Sequence, residues 1–194
     1  MSPTQDRPDL LEVDWSKLPA PVDDGAARHL EGMTIPALDL AATDGRSVAL
    51  ATLRGRVVVF AYPRIGRPGD PALVDDWDDI PGARGCTPQS CAFRDLHAQL
   101  LAAGAAAVFG LSTQDTDYQR EAAVRLHLPY ALLSDHDLAL VRALRLPTME
   151  VAGHTLIKRL AMVIDDGRIT KVFYPVFPPD RNASDVLGYL RGER

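Results

Sequence analysis

The chain has 194 residues, 46% of them hydrophobic and 24% charged, with a formal net charge of −5. That is the composition of a globular protein with one substantial core, and it lacks the concentrated basic surface that nucleic acid or an anionic membrane requires. Two cysteines are too few for a disulfide-framework secreted fold, and no apolar run approaches the roughly 20 residues of a membrane span.

The start, Met1 to Asp9, has no cationic segment followed by an apolar run, so no secretory signal is expected. Residues 1–30 are rich in Pro and Asp, with apolar anchors at Leu10, Leu11, Trp15 and Leu18. They read as an extension, packed or mobile, ahead of a compact domain over 31–194. Asp44-Gly45 offers a tight turn between strands at Leu38-Asp39-Leu40 and Val48-Ala49-Leu50. Val57-Val58-Val59-Phe60-Ala61 and the run from Ala105 to Leu111 are apolar throughout, as in strands buried on both faces. Between them Ala92, Leu96, Leu100 and Leu101 recur at helical spacing on a segment that begins near Cys86. The order strand, helix, strand predicts a parallel crossover.

Residues 64–84 form a long insertion with Pro68, Pro71, Pro81 and the acidic run Asp75-Asp76-Trp77-Asp78-Asp79. It reads either as a solvated surface loop or as a lid or docking loop anchored by Trp77. Further on, a helix is expected over Thr116 to His127 and a short strand at Tyr130 to Leu133. Another helix should run through Leu144, capped by Asp135 or Asp137. Asp165-Asp166-Gly167 between Leu160–Ile164 and Ile169–Tyr174 is a hairpin signal. A last helix covers Ala183 to Leu190, with Asn182 as its cap. These elements make an α/β domain, but period alone does not choose among α/β sheets.

The cysteines do most of the choosing. Gly85-Cys86-Thr87-Pro88-Gln89-Ser90-Cys91-Ala92-Phe93-Arg94-Asp95 holds both of them, five positions apart, where a helix is expected to begin. Two thiols so placed, with no others to pair with, read as a redox couple. Here the sequence resembles the peroxiredoxins, in particular the Q-type or bacterioferritin-comigratory branch. Tyr62-Pro63, Pro68-Gly69, Gly85-Cys86-Thr87, Cys91 and Phe93-Arg94-Asp95 match that family's elements in order. The stretch Lys158-Arg159-Leu160-Ala161-Met162-Val163-Ile164-Asp165 looks like its late strand with an arginine at the start.

The resemblance implies a thioredoxin-like fold, with a central mixed sheet flanked by helices, and a thiol-dependent peroxidase. Cys86 would be oxidised by hydrogen peroxide or an organic hydroperoxide to a sulfenic acid. Cys91 would condense with it to an intramolecular disulfide, and thioredoxin or a similar dithiol would reduce the pair. Arg159 and Pro63 would complete the site, the arginine by charge and the proline by shielding. A helix start and a guanidinium both favour the thiolate such chemistry needs. On one regular helix, Cα atoms five residues apart lie roughly 8–9 Å from each other. That exceeds the ~7 Å that a disulfide tolerates, so the first turn must unwind. Arg94 and Asp95 are read as bracing that turn rather than as a surface pair. No metal, flavin or haem is implied, nor nucleic acid or membrane; the expected setting is the cytoplasm, as monomer or homodimer.

Two departures from the family pattern stand out. The insertion separates Pro68-Gly69 from Cys86, and Ala83 stands three residues before Cys86, where the family carries Thr or Ser. Thr87, Thr113 or a backbone group would have to replace that hydroxyl. The competing function is a non-catalytic copper or zinc module of the same fold using Cys86 and Cys91, with His97 as a further ligand. A thiol–disulfide oxidoreductase is disfavoured by four residues rather than two between the thiols.

Overall fold

A computed structural model describes residues 13–193; Leu10 and Leu11 lie outside them. A seven-stranded mixed sheet runs in the order β2-β1-β5-β4-β3-β8-β9. Its strands are β1 (Asp39–Ala42), β2 (Ser47–Ala49), β3 (Arg56–Ala61), β4 (Ala105–Ser112), β5 (Leu132–Ser134), β8 (Leu160–Asp165) and β9 (Arg168–Phe173). β3, β4 and β5 are parallel, and the outer pairings are antiparallel. The thioredoxin-like arrangement expected from the cysteine position is the one observed.

β3 explains the layering. Val57, Val59 and Ala61 face one apolar cluster, Val58, Phe60 and Tyr62 the other, because strand side chains alternate. On the second face Phe60 stacks on Phe93, with ring centroids 4.2 Å apart and planes within 5°. Fully burying a side chain of that size contributes roughly 1.5–3 kcal/mol. Phe93 lies on α1 (Cys86–Asp95), so this contact fixes the cysteine helix against the sheet.

Several expectations need correction. The helix from Cys86 is not continuous to Leu101. It stops at Asp95 and resumes as α2 (His97–Ala102), with Leu96 between them at φ −97°, ψ 2°. The strand expected from Tyr130 begins only at Leu132. Asp115 caps α3 (Thr116–Arg125), accepting the Tyr118 N–H at 2.7 Å, and α3 ends two residues before His127. Asp135, not Asp137, holds the start of α4 (Ala139–Leu144), accepting the N–H groups of Leu140 and Val141. A hairpin that sequence reading missed, β6 (Thr148–Val151) with β7 (His154–Ile157), turns at Ala152 and Gly153, both at positive φ. Asn182 is the first residue of α5 (Asn182–Leu190), and its side-chain oxygen is engaged elsewhere than at a cap.

Residues 13–30 are tied to the domain. The Trp15 indole donates to Asp180 at 2.9 Å and meets Phe177 edge-on at 6.2 Å. Asp24 binds Lys158 Nζ at 2.7 Å and accepts the Tyr174 hydroxyl at 2.8 Å. These hydrogen bonds hold its carboxyl well below the usual carboxylate range. Among the described residues no helix is long and apolar enough to cross a membrane.

Candidate active site

The pairing of β8 with β3 sets the site. Leu160 lies opposite Ala61, so Arg159, one residue earlier, stands where β3 gives way to Tyr62 and the insertion. Arg159 is only 3% exposed. One terminal nitrogen, Nη2, lies 3.4 Å from Cys86 Sγ. The same nitrogen donates to the carbonyls of Gly82, Ala83 and Arg84 at 3.2, 3.2 and 3.1 Å. Nη1 donates to Gln89 Oε1, and Gln89 Nε2 donates to Asn182 Oδ1 at 2.9 Å. Gln89 and Asn182 are both buried. A chain of buried polar groups therefore runs from α5 through α1 to the guanidinium and fixes its orientation. Neither Gln89 nor Asn182 carries a sequence signal for this pairing.

Cys86 is the first residue of α1, preceded by Gly85 at φ 108°, ψ 16°. A Cβ on Gly85 would fall 2.6 Å from Pro179 Cγ and 2.9 Å from the Trp15 ring. Glycine is thus required both for backbone angle and for space. The helix ladder opens with Gln89 N–H donating to Gly85 C=O at 3.0 Å. Pro88 removes a first-turn donor that would have no intrahelical partner anyway. The Cys86 Sγ lies 3.6 Å from the Ala83 carbonyl oxygen, within reach of a hydrogen bond from the thiol. Ala83, standing where the family hydroxyl is expected, thus contributes a backbone oxygen.

Cys86 and Thr87 line a cavity of about 600 Å³ roofed by the insertion, with Pro68, Leu73, Trp77 and Tyr118 among its walls. Thr113 donates to the Thr155 carbonyl at 2.9 Å. Thr87 and Tyr118 are the two hydroxyl-bearing residues that line the cavity. Pro63 is buried directly after Tyr62 and does not line it. The insertion is pinned at both ends. Ile65 and the Gln114 amide exchange hydrogen bonds of 2.9 and 3.0 Å at one end, and the carbonyls of Gly82, Ala83 and Arg84 accept from Arg159 at the other. A separate groove of about 650 Å³ beside His97, His127 and Tyr130 reaches neither cysteine.

Cys91 lies further along α1, buried in the same apolar cluster and absent from the cavity lining. Both thiols are free. Between them the Tyr130 hydroxyl donates to the Ser90 carbonyl at 2.6 Å, anchoring the middle of the helix. Arg94 and Asp95 do not brace the first turn. Arg94 pairs with Asp95 at 2.8 Å and donates to the Leu126 carbonyl, holding the last turn to the end of α3. Among the described residues no group of three His, Cys, Asp or Glu is placed to hold a metal ion, so Cys86, Cys91 and His97 do not form one.

Burial pushes the Cys91 thiol above its usual value of 9.0, outweighing the attraction of Arg94. Its contribution to stability is complete below about pH 9 and is lost as pH rises through the raised folded-state value. In the reduced folded chain, iodoacetamide at neutral pH is expected to label Cys86 well before Cys91. Both thiols are buried, but of the two only Cys86 lines the cavity, and the Cys91 thiol is pushed up. Peptide mapping over time checks this, and equal labelling rates would contradict access to Cys86 through the cavity.

A free thiol at a helix start, a buried arginine against its sulfur and a thioredoxin-like sheet define a thiol-based redox protein. The family model described as Redoxin matches residues 30–190. Chloroplastic peroxiredoxin Q from Gentiana triflora is 32% identical over 183 residues, covering 91% of this chain and 76% of the relative. A peroxiredoxin bcp described as putative, from Coxiella burnetii, is 26% identical, covering 82% of this chain and 97% of that one. The crystal structure of peroxidoxin BcpB from Mycobacterium tuberculosis superposes with a TM-score of 0.67 at 27% identity, over 84% of this chain and 97% of that one. The chain belongs to the peroxiredoxin Q/Bcp family of thiol peroxidases.

Proposed function

We propose that this peroxiredoxin reduces hydrogen peroxide and organic hydroperoxides through Cys86, with Cys91 as resolving thiol and a thioredoxin-type dithiol as reductant in a reducing cytoplasm. The observation that carries the reading is the Arg159 guanidinium 3.4 Å from Cys86 Sγ at a cavity wall. The Cys86 thiolate attacks the terminal oxygen of the hydroperoxide, and the O–O bond breaks. The leaving alkoxide or hydroxide takes a proton from solvent. Cys86 is left as a sulfenic acid, oxidised by two electrons, while the peroxide is reduced to alcohol or water. Arg159 stabilises charge on the sulfur and on the departing oxygen. Pro63, buried two residues after β3, fixes the chain's exit from the sheet without lining the cavity.

Resolution then needs motion. Cys86 and Cys91 share α1, so the turn before Ser90 unwinds while Tyr130 retains the Ser90 carbonyl. The Cys91 sulfur displaces water from the sulfenic acid, and two exchange steps with the dithiol restore both thiols. After one equivalent of hydrogen peroxide, mass spectrometry is expected to show loss of two hydrogens in the native chain. Cys91→Ser should gain one oxygen, or a trapped adduct, at Cys86. Cys86→Ser should remain unchanged; normal turnover by that variant would end the reading.

A further inference from the structure

The roof of the Cys86 cavity carries an uneven set of charges. Arg84 is paired with Asp78, and Arg67 lies 3.6 Å from Glu121. Arg64 has no ion-pair partner among the described residues, yet it is held half-buried with its guanidinium 5.0 Å from the Tyr118 ring centroid. Arg67 sits over the same ring at 4.0 Å, its buried Nε facing the Glu121 carboxylate at 3.6 Å. Two guanidinium groups thus share one aromatic ring at one wall of the cavity, and of the two only Arg64 is without an ion-pair partner among the described residues. The other walls include the apolar residues Pro68, Leu73 and Trp77. Asp70 and Asp75 also line the cavity but are exposed.

The volume bears on the substrate. Hydrogen peroxide is little larger than water, whose share of the liquid is about 30 Å³. A cavity of about 600 Å³ falls within the range that organic ligands fill. Planar guanidinium donors match the two oxygens of a carboxylate.

We propose that the 64–84 insertion makes a substrate pocket for an organic hydroperoxide with an apolar body and a carboxylate, the carboxylate held by Arg64 with Arg67 beside it. This rests on the peroxidase reading for the chemical step, which is unchanged: the terminal oxygen goes to Cys86, the O–O bond breaks, and the product is the hydroxy acid.

The test compares para-carboxycumene hydroperoxide with its methyl ester in the full-length chain. The kcat/KM for the acid is expected to exceed that for the ester about tenfold, a typical effect of one charge-assisted contact. In Arg64→Met the ratio should fall towards one, in Arg64→Lys it should be retained only in part, and in Arg64→Glu it should invert. Equal rates for acid and ester in the native chain, or a preference untouched in both Arg64→Met and Arg64→Glu, would overturn the pocket assignment. A second arm needs no catalysis: calorimetric titration of Cys86→Ser with para-carboxycumyl alcohol and with its methyl ester. Acid-selective binding without peroxide turnover in the native chain would keep the pocket and remove the peroxidase reading. Turnover of hydrogen peroxide with no acid-selective binding would do the reverse.

Discussion

Arg159→Met is expected to lower the second-order rate constant for peroxide reduction by about 10²–10³-fold, the usual cost of losing one donor aimed at developing charge. The same substitution removes donors to the carbonyls of Gly82, Ala83 and Arg84 and to Gln89. Hydrogen bonds to charged groups contribute about 1.5–3 kcal/mol each, and leaving several buried acceptors unpaired should destabilise the chain by about 3–5 kcal/mol. Stopped-flow kinetics on protein shown to be folded by circular dichroism separates the two effects. Arg159→Lys supplies the charge without the planar fork and should recover only part of the rate. A near-native rate constant in Arg159→Met would leave the arginine with a purely structural role.

Gly85→Ala should be the most damaging small substitution in the cysteine helix, costing about 3–5 kcal/mol from left-handed backbone strain and overpacking together. The backbone sits at φ 108°, and the new methyl would meet both Pro179 and Trp15 below contact distance. Relief requires the start of α1 to lift away from these two residues, which is the motion the proposed disulfide would need. Beyond a lower midpoint in urea, the variant is expected to form the Cys86–Cys91 disulfide faster. At high peroxide it should therefore accumulate less Cys86 sulfinic acid, scored by mass spectrometry. Unchanged urea stability would refute the packing argument.

The parts of the site that could be read in advance were those with local causes. β3 and β4 declare themselves by unbroken apolar runs, and the β8–β9 turn by Asp166-Gly167. Arg159 is legible only through the resemblance of its segment to the family's late strand, and its 3.4 Å approach to the sulfur depends on the pairing of β8 with β3. Gln89 and Asn182 stayed hidden because their partnership spans 93 positions and leaves no periodic trace. Asn182 reads locally as a cap, since an asparagine before an apolar helix has that signature. Tyr118 and Arg64 were invisible for the same reason: an aromatic ring on α3 and a cation after β3 meet only once the sheet has formed. The break at Leu96 and the Ala152-Gly153 hairpin lacked the usual punctuation of Pro or Asn-Gly.

The chain's two tryptophans stand on either flank of Cys86: Trp15 presses on Gly85, and Trp77 walls the cavity. Both indoles are half-sheltered from water in the packed form. Uncoiling of the cysteine segment, as the proposed disulfide requires, would strip the cover from the first, and a ligand in the cavity would deepen the cover of the second. Emission is then expected to shift to the red on oxidation and to the blue when the pocket fills.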